Sequence, residues 1–170
     1  MIRLAKENDI DAILCCLEDA RAFLKASGST QWNGPLGYPN RNVYLEDIKN
    51  KIAFVCEREG IVCGVAVFAG IEEEYQHDKD KWINKTDKYT TIHRIAVLDK
   101  YRGTGVAKEL LGYAEEYSKN IGNLSIRIDT HPKNLAVQGL VKSLGYTYCG
   151  EIIYYRIPVE PLRLIYEKMI

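Results

Sequence analysis

The segment that most constrains the fold is a strand, a glycine-rich turn, a helix and a second strand at residues 90–129. Residues 92–98 form a largely apolar run, residues 102–107 read Arg-Gly-Thr-Gly-Val-Ala, and residues 106–121 repeat apolar side chains at helical spacing. Residues 124–129 then alternate apolar and polar side chains, as strands do. Because a helix separates the two strands, this unit requires a parallel neighbour or a crossover.

The rest of the chain predicts hairpins and short helices, with Asn8 and Asn134 as helix caps. A tight turn at Glu59-Gly60 joins two apolar runs, so these strands are antiparallel. We therefore predict an α/β fold, a mixed and mostly antiparallel central sheet of six to seven strands flanked by helices on both faces, with residues 1–170 as a single domain. The predicted strands are 2–5, 53–56, 61–68, 90–98, 124–129, 146–153 and 164–169, and the predicted helices are 8–28, 42–51, 106–121 and 134–144.

Composition disfavours several classes of function. Lys and Arg together number 23 and equal Asp and Glu, so no strong positive field recruits nucleic acid. No apolar run is long enough to span a bilayer and the N-terminus lacks the apolar stretch of a secretion signal, so we expect a cytoplasmic protein with no membrane partner. The five cysteines form no C-x-x-C pair and lie apart from the three histidines, so we expect reduced thiols and no metal site.

The glycine-rich turn at 102–107 predicts a phosphate site, because a helix N-terminus offers free backbone N–H groups and partial positive charge. Arg102 adds a full charge. A nucleoside triphosphate loop would need G-x-x-x-x-G-K-[ST], which is absent. A dinucleotide motif, G-x-G-x-x-G, fits Gly103 and Gly105 but finds Lys108 at its third glycine. The alternative is a purely structural role, in which the glycines only form a turn and Asn134 only caps a helix.

A third pattern, R-x-x-G-x-[GA], is met by Arg102, Gly105 and Ala107. A second block, from Asn134 through Leu144-Gly145-Tyr146, is similar to a N-x-x-A-x-x-L-Y-x-x-x-G-F helix. With these two motifs and this order of elements, the chain resembles the GCN5-related N-acetyltransferases (the GNAT superfamily) over nearly its whole length. The resemblance implies a GNAT-like acyl-CoA N-acyltransferase fold.

The resemblance also implies a reaction and a co-substrate. The enzyme would transfer an acetyl group from acetyl-CoA to a primary amine of an unidentified small molecule or peptide, by direct attack in a ternary complex. In the family two central strands splay apart; pantetheine lies in the opening and the pyrophosphate rests on the glycine turn. The residues that this implies for coenzyme A are Ile95, Ala96, Val97, Arg102, Gly103, Thr104, Gly105, Val106, Ala107 and Asn134.

His93 is the candidate catalytic base, since it resembles the position of a histidine base in some family members and imidazole titrates near neutral pH. Alternatively, His93 pairs with a neighbouring strand or lies on the surface. His131 is a second candidate for the base. The tyrosine that often serves as general acid is replaced by Val141, so no general acid is identified. This replacement keeps a second function open, a non-catalytic acyl-CoA-binding regulatory module.

The amine acceptor is expected at two variable segments. The turn-rich segment 27–40 carries Trp32 and Tyr38, which either stack on the acceptor or cover the edge of the core. The predicted loop 72–88 carries three consecutive glutamates, which either relay protons and attract a cation or are simply solvated. The resemblance also leaves a homodimer open, with Tyr154-Tyr155 near the contact.

Overall fold

The computed structural model describes residues 1–34, 37–157 and 160–170, and these residues form seven strands and five α-helices. The strands are β1 (Ile2–Leu4), β2 (Ala53–Arg58), β3 (Ile61–Ala69), β4 (Tyr89–Val97), β5 (Ser125–Thr130), β6 (Thr147–Ile153) and β7 (Leu162–Met169). The helices are α1 (Ile10–Ala26), α2 (Arg41–Lys49), α3 (Glu73–Gln76), α4 (Val106–Asn120) and α5 (Leu135–Ser143).

The strands lie in the order β1-β2-β3-β4-β5-β7-β6. Strands β4 and β5 are parallel, as the helix between them requires, whereas β1–β2, β2–β3, β5–β7 and β6–β7 are antiparallel. The predicted mixed, mostly antiparallel α/β fold is therefore confirmed. Within the three described ranges, no helix has the length and apolar composition that crossing a membrane requires, and no group of three potential metal ligands is found.

The chain forms two compact units. The first unit comprises residues 1–68 and 94–113, and its core packs α1 and α2 against β2 and β3 through fully buried side chains such as Ile13, Leu17 and Val65. The second unit comprises residues 69–93 and 114–170, and its core includes Tyr75, Trp82 and Ile165.

The segment 72–88, predicted to be a loop, is largely ordered by buried contacts in the second unit. It contains α3 and a short 3-10 turn, and Trp82 is buried. The fully buried carboxylate of Glu167 accepts hydrogen bonds from the backbone N–H groups of Ile83 and Asn84 and from Arg127. The guanidinium of Arg127 in turn lies 4.5 Å from the centre of the Trp82 ring. Partners so distant in sequence explain why local pattern indicated only a loop.

The predicted cap at Asn8 is wrong. A 3-10 turn at Glu7–Asp9 precedes α1, and the Asp9 carboxylate accepts hydrogen bonds from the Lys6 N–H and from Arg3. The predicted cap at Asn134 is confirmed, because its side chain accepts a hydrogen bond from the Val137 N–H at 3.3 Å.

Candidate functional site

The loop at residues 102–107 folds tightly in the first unit because two of its glycines adopt left-handed backbone angles. Gly103 has a φ of +78° and Gly105 a φ of +94°, which side chains with a Cβ rarely adopt. Between them, the Thr104 N–H and hydroxyl both donate to the Tyr101 carbonyl, at 3.2 and 2.7 Å. Helix α4 then begins directly at Val106.

The loop presents a row of backbone donors. Within the described part of the chain, no acceptor pairs with the N–H groups of Gly103, Gly105, Val106 or Ala107; the first loop carbonyl used by the helix is that of Gly105, which accepts from Glu109. Free N–H groups at a helix N-terminus, together with the helix dipole, favour an anion. The geometry fits a phosphate or pyrophosphate group.

Two arginines contact this region of the first unit, and neither is fully free. Arg102 pairs with Asp99 at 2.9 Å and lies 4.2 Å from the centre of the Phe23 ring. Arg58, which sequence reasoning missed, donates to the hydroxyl and the carbonyl of Thr104 at 3.0 and 3.2 Å. Arg58 lies 46 residues before Thr104, so no local motif connects them.

Gly64 determines how closely the first turn of α4 approaches β3. A Cβ at Gly64 would stand 2.6 Å from Cγ1 of Val106 and 3.3 Å from the carbonyl oxygen of Ala96. A side chain there would displace the helix, so the absence of one is a requirement of the packing. A glycine inside the apolar run 61–68 was the available signal for this close approach.

Strand β4 changes its pairing in the middle. Its parallel ladder with β5 runs from Tyr89↔Ser125 to Ile92↔Ile128 and ends there, although β4 continues to Val97. Two residues later Arg94 has a φ of +51°, a left-handed conformation that is strained for a residue with a Cβ. The backbone at Ile95–Val97 therefore follows a distortion that ends the regular ladder.

The two candidate acceptor residues in segment 27–40 differ in their surroundings; residues 35 and 36 of this segment lie outside the described residues. Trp32 packs against the core of the first unit, which matches the core-edge alternative. Tyr38 is 47% exposed, and its hydroxyl accepts a 2.6 Å hydrogen bond from Arg94. Arg94 is also held by two hydrogen bonds to Asp47, at 2.7 and 3.1 Å.

His93, Glu72 and Arg156 form a cluster in the second unit, here called the His93 cluster. Nε2 of His93 lies 3.0 Å from Oε2 of Glu72, and Oε1 of Glu72 accepts from Arg156 at 2.7 Å. Glu72 is only 8% exposed. Burial disfavours its carboxylate, but the contacts from His93 and Arg156 outweigh burial and lower the pKa of Glu72 from 4.5 to about 2. Glu72 is thus a buried partner of His93 that carries a negative charge at neutral pH.

The expectation that the glutamate run is simply solvated is wrong for two of its three members. Glu72 and Glu74 are buried, and only Glu73 is exposed. The Glu74 carboxylate accepts long hydrogen bonds from the backbone N–H groups of Tyr155 and Arg156, at 3.4 and 3.3 Å. Sequence reasoning missed Arg156, because it lies 84 residues after Glu72.

The remaining candidates also lie in the second unit. His131 is buried; its Nδ1 accepts from the Lys133 N–H at 3.1 Å, its Nε2 lies 3.1 Å from Glu160, and burial lowers its pKa. Tyr154 is buried and donates to Asp129 at 2.7 Å, so its hydroxyl already has an internal partner, whereas Tyr155 is 75% exposed. Val141 is fully buried in α5.

Comparisons with known proteins identify the family and the fold. The family model described as the acetyltransferase (GNAT) family matches residues 16–146. A crystal structure of a GNAT-family acetyltransferase from Streptococcus agalactiae is 37% identical, covers 100% of this chain and 95% of that chain, and superposes with a TM-score of 0.86. An aminoglycoside N(6')-acetyltransferase type 1 from Salmonella typhimurium is 27% identical over 61% of this chain and 68% of its own length. The PaiA N-acetyltransferase of Thermoplasma acidophilum, solved with coenzyme A, is 15% identical over 100% of this chain and 98% of that chain and shares the fold with a TM-score of 0.72.

Proposed function

The chain belongs to the GNAT family of acetyltransferases, and on that premise we propose that the loop at 102–107 holds acetyl-CoA while His93 takes the proton of the attacking amine. Membership of this family makes the chain an acetyl-CoA-dependent N-acetyltransferase, which transfers an acetyl group from acetyl-CoA to an amine. The observation that carries the assignment of the loop is its row of four N–H groups without an acceptor in the described ranges.

We assign the pyrophosphate of the coenzyme to the loop at 102–107, where the N–H groups of Gly103, Gly105, Val106 and Ala107 lack an acceptor in the described ranges. Arg102 and Thr104 face solvent, so their side chains add charge or a hydroxyl to a cradle that is made by the backbone. We assign the amides of pantetheine to the backbone of Ile95, Ala96 and Val97, which lie beyond the last β4–β5 pair and can be extended like a strand. Asn134, which uses its Oδ1 to cap α5, is proposed as a further coenzyme contact.

His93 is assigned the role of the base that accepts the proton of the attacking amine. An amine that attacks a thioester must give up a proton, and a neutral imidazole accepts one near physiological pH. His93 lies on β4, two residues before the proposed pantetheine segment begins at Ile95. The pairing of its Nε2 with a buried carboxylate supports this role over that of a surface histidine. No general acid is assigned, because Val141 has no proton to give.

We propose that the acceptor is a primary amine of a small molecule or peptide. The relative in Salmonella typhimurium is named for aminoglycosides, which puts this polyamine class first among the acceptors to be tested. Tyr38, which is half exposed, is the stronger candidate for contact with the acceptor, and Trp32 supports the same segment from the core.

Three coarser expectations complete the proposal. We infer that residues 1–170 act as one N-acetyltransferase domain, because the family match at 16–146 includes residues of both units. A cytoplasmic location and a homodimer are proposed from the sequence and the resemblance. Light scattering of the purified chain tests the dimer directly.

Calorimetric titration with acetyl-CoA tests the coenzyme assignment, and a thiol-release assay tests turnover. The assay panel contains kanamycin, spermidine, lysine and a peptide with a free N-terminus. We expect saturable binding of acetyl-CoA and acceptor-dependent release of coenzyme A with at least one amine. Absence of binding at millimolar acetyl-CoA would remove the coenzyme assignment, whereas binding without release from any amine would favour the non-catalytic module.

A further inference from the structure

We propose that Glu72 is a positioning residue for His93: it accepts the hydrogen bond of Nε2–H and thereby leaves Nδ1 as the nitrogen that receives the proton of the amine. This inference rests on the proposed role of His93 as the base. It concerns a contact between α3's N-cap residue and β4, both in the second unit, rather than any group that touches a substrate.

The carboxylate of Glu72 is fixed on both of its oxygens. Oε2 lies 3.0 Å from Nε2 of His93, while Oε1 accepts from Arg156 at 2.7 Å and from the Glu74 N–H at 3.3 Å. With a side chain only 9% exposed, Glu72 has little room to choose another orientation. The imidazole is consequently held by a carboxylate that two further hydrogen bonds immobilise.

The chemistry of the pair selects one tautomer. An ionised carboxylate can only accept hydrogen bonds, and a neutral imidazole carries one N–H and one lone pair. Since the pKa of Glu72 is about 2, it is ionised wherever the enzyme can be assayed. Nε2 of His93 therefore carries the hydrogen and Nδ1 carries the lone pair.

The proton transfer balances without any further reactant. The lone pair of the neutral amine forms the new bond to the acetyl carbon, an N–H bond breaks with its electron pair staying on nitrogen, and the proton ends on Nδ1 of His93. The C–S bond of acetyl-CoA breaks, and coenzyme A leaves as the thiolate. The positive charge that develops on the imidazole then lies beside the Glu72 carboxylate, which stabilises it. Arg156 shares the same carboxylate and so limits, but does not cancel, this effect.

Nuclear magnetic resonance of the intact chain labelled with 15N-histidine tests the tautomer without an acceptor. The chain has three histidines, so the His93→Ala variant identifies the signals of His93. At a pH where the ring is neutral, we expect the Nε2–H tautomer in the wild-type protein. A predominant Nδ1–H tautomer would overturn the proposal, whether or not any variant of Glu72 folds.

A double-mutant cycle tests whether Glu72 acts through His93. Thiol release from acetyl-CoA is measured with kanamycin, or with whichever panel amine is turned over. We expect Glu72→Gln to lower kcat at least about tenfold when His93 is present, and by less than about twofold in the His93→Ala background. The KM for acetyl-CoA should stay within about twofold in both backgrounds.

Glu74→Gln is the control of similar burial: the Glu74 carboxylate contacts backbone N–H groups and lies 3.7 Å from the Arg156 guanidinium, but it does not contact His93. It should leave kcat within about twofold. Equal losses on Glu72→Gln in both backgrounds would show a merely structural role and overturn this inference alone. Full turnover by His93→Ala would instead remove the assignment of the base, and the role of Glu72 with it.

Discussion

The loop at 102–107 and the His93 cluster are built in opposite ways. In the loop the side chains of Arg102 and Thr104 are exposed, that of Val106 is buried, and the groups available for binding are backbone N–H groups, held in place by two glycines with positive φ. In the His93 cluster the contacts are made by side chains from three distant segments: the buried carboxylate of Glu72, the half-buried ring of His93 and the exposed guanidinium of Arg156.

This difference predicts which amino-acid substitutions each region tolerates. The loop should accept changes of side chain as long as its backbone angles are kept, because its donors belong to every residue except proline. The cluster should tolerate neither the loss of the Glu72 charge nor the loss of the His93 ring, because the carboxylate is buried and the ring is its specific partner. The four substitutions below test this contrast.

The largest effect is expected from His93→Ala. Without the imidazole no group is assigned to take the proton of the amine, so kcat should fall at least about tenfold while acetyl-CoA affinity changes by less than about twofold. Steady-state thiol release and calorimetry measure the two quantities. His77→Ala, at an exposed histidine of the same unit, is the control and should keep full turnover. Unchanged turnover in His93→Ala would strike His93 from the mechanism.

The second effect concerns stability in acid. The pKa of Glu72 is about 2 in the folded chain, below its ordinary value of 4.5, so its charge stabilises the fold above pH 4.5 and this stabilisation is lost as the pH falls toward 2. The full contribution is about 3 kcal/mol. Urea unfolding should show the advantage of the wild type over Glu72→Gln narrowing between pH 5 and pH 3. Glu73→Gln, at the exposed neighbour, should show no such narrowing; a constant advantage for the wild type would refute the acid linkage.

The third effect tests the backbone of the loop. At Gly105 the φ of +94° strains any residue with a Cβ, by about 1–3 kcal/mol. Gly105→Ala should therefore weaken acetyl-CoA binding about tenfold in calorimetry. Gly112→Ala, at an exposed glycine in the same helix with open space around it, should leave affinity unchanged. Equal affinities for the two variants would contradict a cradle made by the backbone.

The smallest effect is expected from Arg102→Ala. The guanidinium is already paired with Asp99 and stacked on Phe23, and exposed ion pairs contribute about 1 kcal/mol or less. Affinity for acetyl-CoA should therefore fall by about threefold or less, and the loss should shrink further at high salt. A loss above tenfold would show that Arg102 leaves Asp99 for the phosphate, and that the loop depends on a side chain after all.

The same contrast explains what the sequence could predict. The loop was predictable because its information is contiguous: Gly103, Gly105 and the helix that follows lie within a few residues. The order of strands and helices was predictable for the same reason, since periodicity and turns are local. The partnership of Glu72 with Arg156 was not, because 84 residues separate them and charge alone does not indicate burial.

Two further regions show that local sequence patterns do not reveal tertiary contacts. The homodimer prediction named Tyr154 and Tyr155; Tyr154 is buried and donates to Asp129, whereas Tyr155 is 75% exposed. Segment 72–88 was expected to be a loop, yet Trp82 and Glu167 bury much of it. In both cases a polar pattern concealed a tertiary partner, because a hydrogen bond to a buried carboxylate leaves no periodic signature.

The close contact at Gly64 has a consequence for how the affinity of this enzyme for coenzyme A could be changed. No room is left there for a Cβ, and this contact fixes the distance of Val106, and hence of the amino end of α4, from β3. Adding a methyl group at Gly64 would push the helix away while leaving every proposed coenzyme-binding residue unchanged in the sequence. The partial positive charge at the amino end of α4 would then lie farther from a bound anion. A mutation inside strand β3 would therefore lower the affinity for coenzyme A.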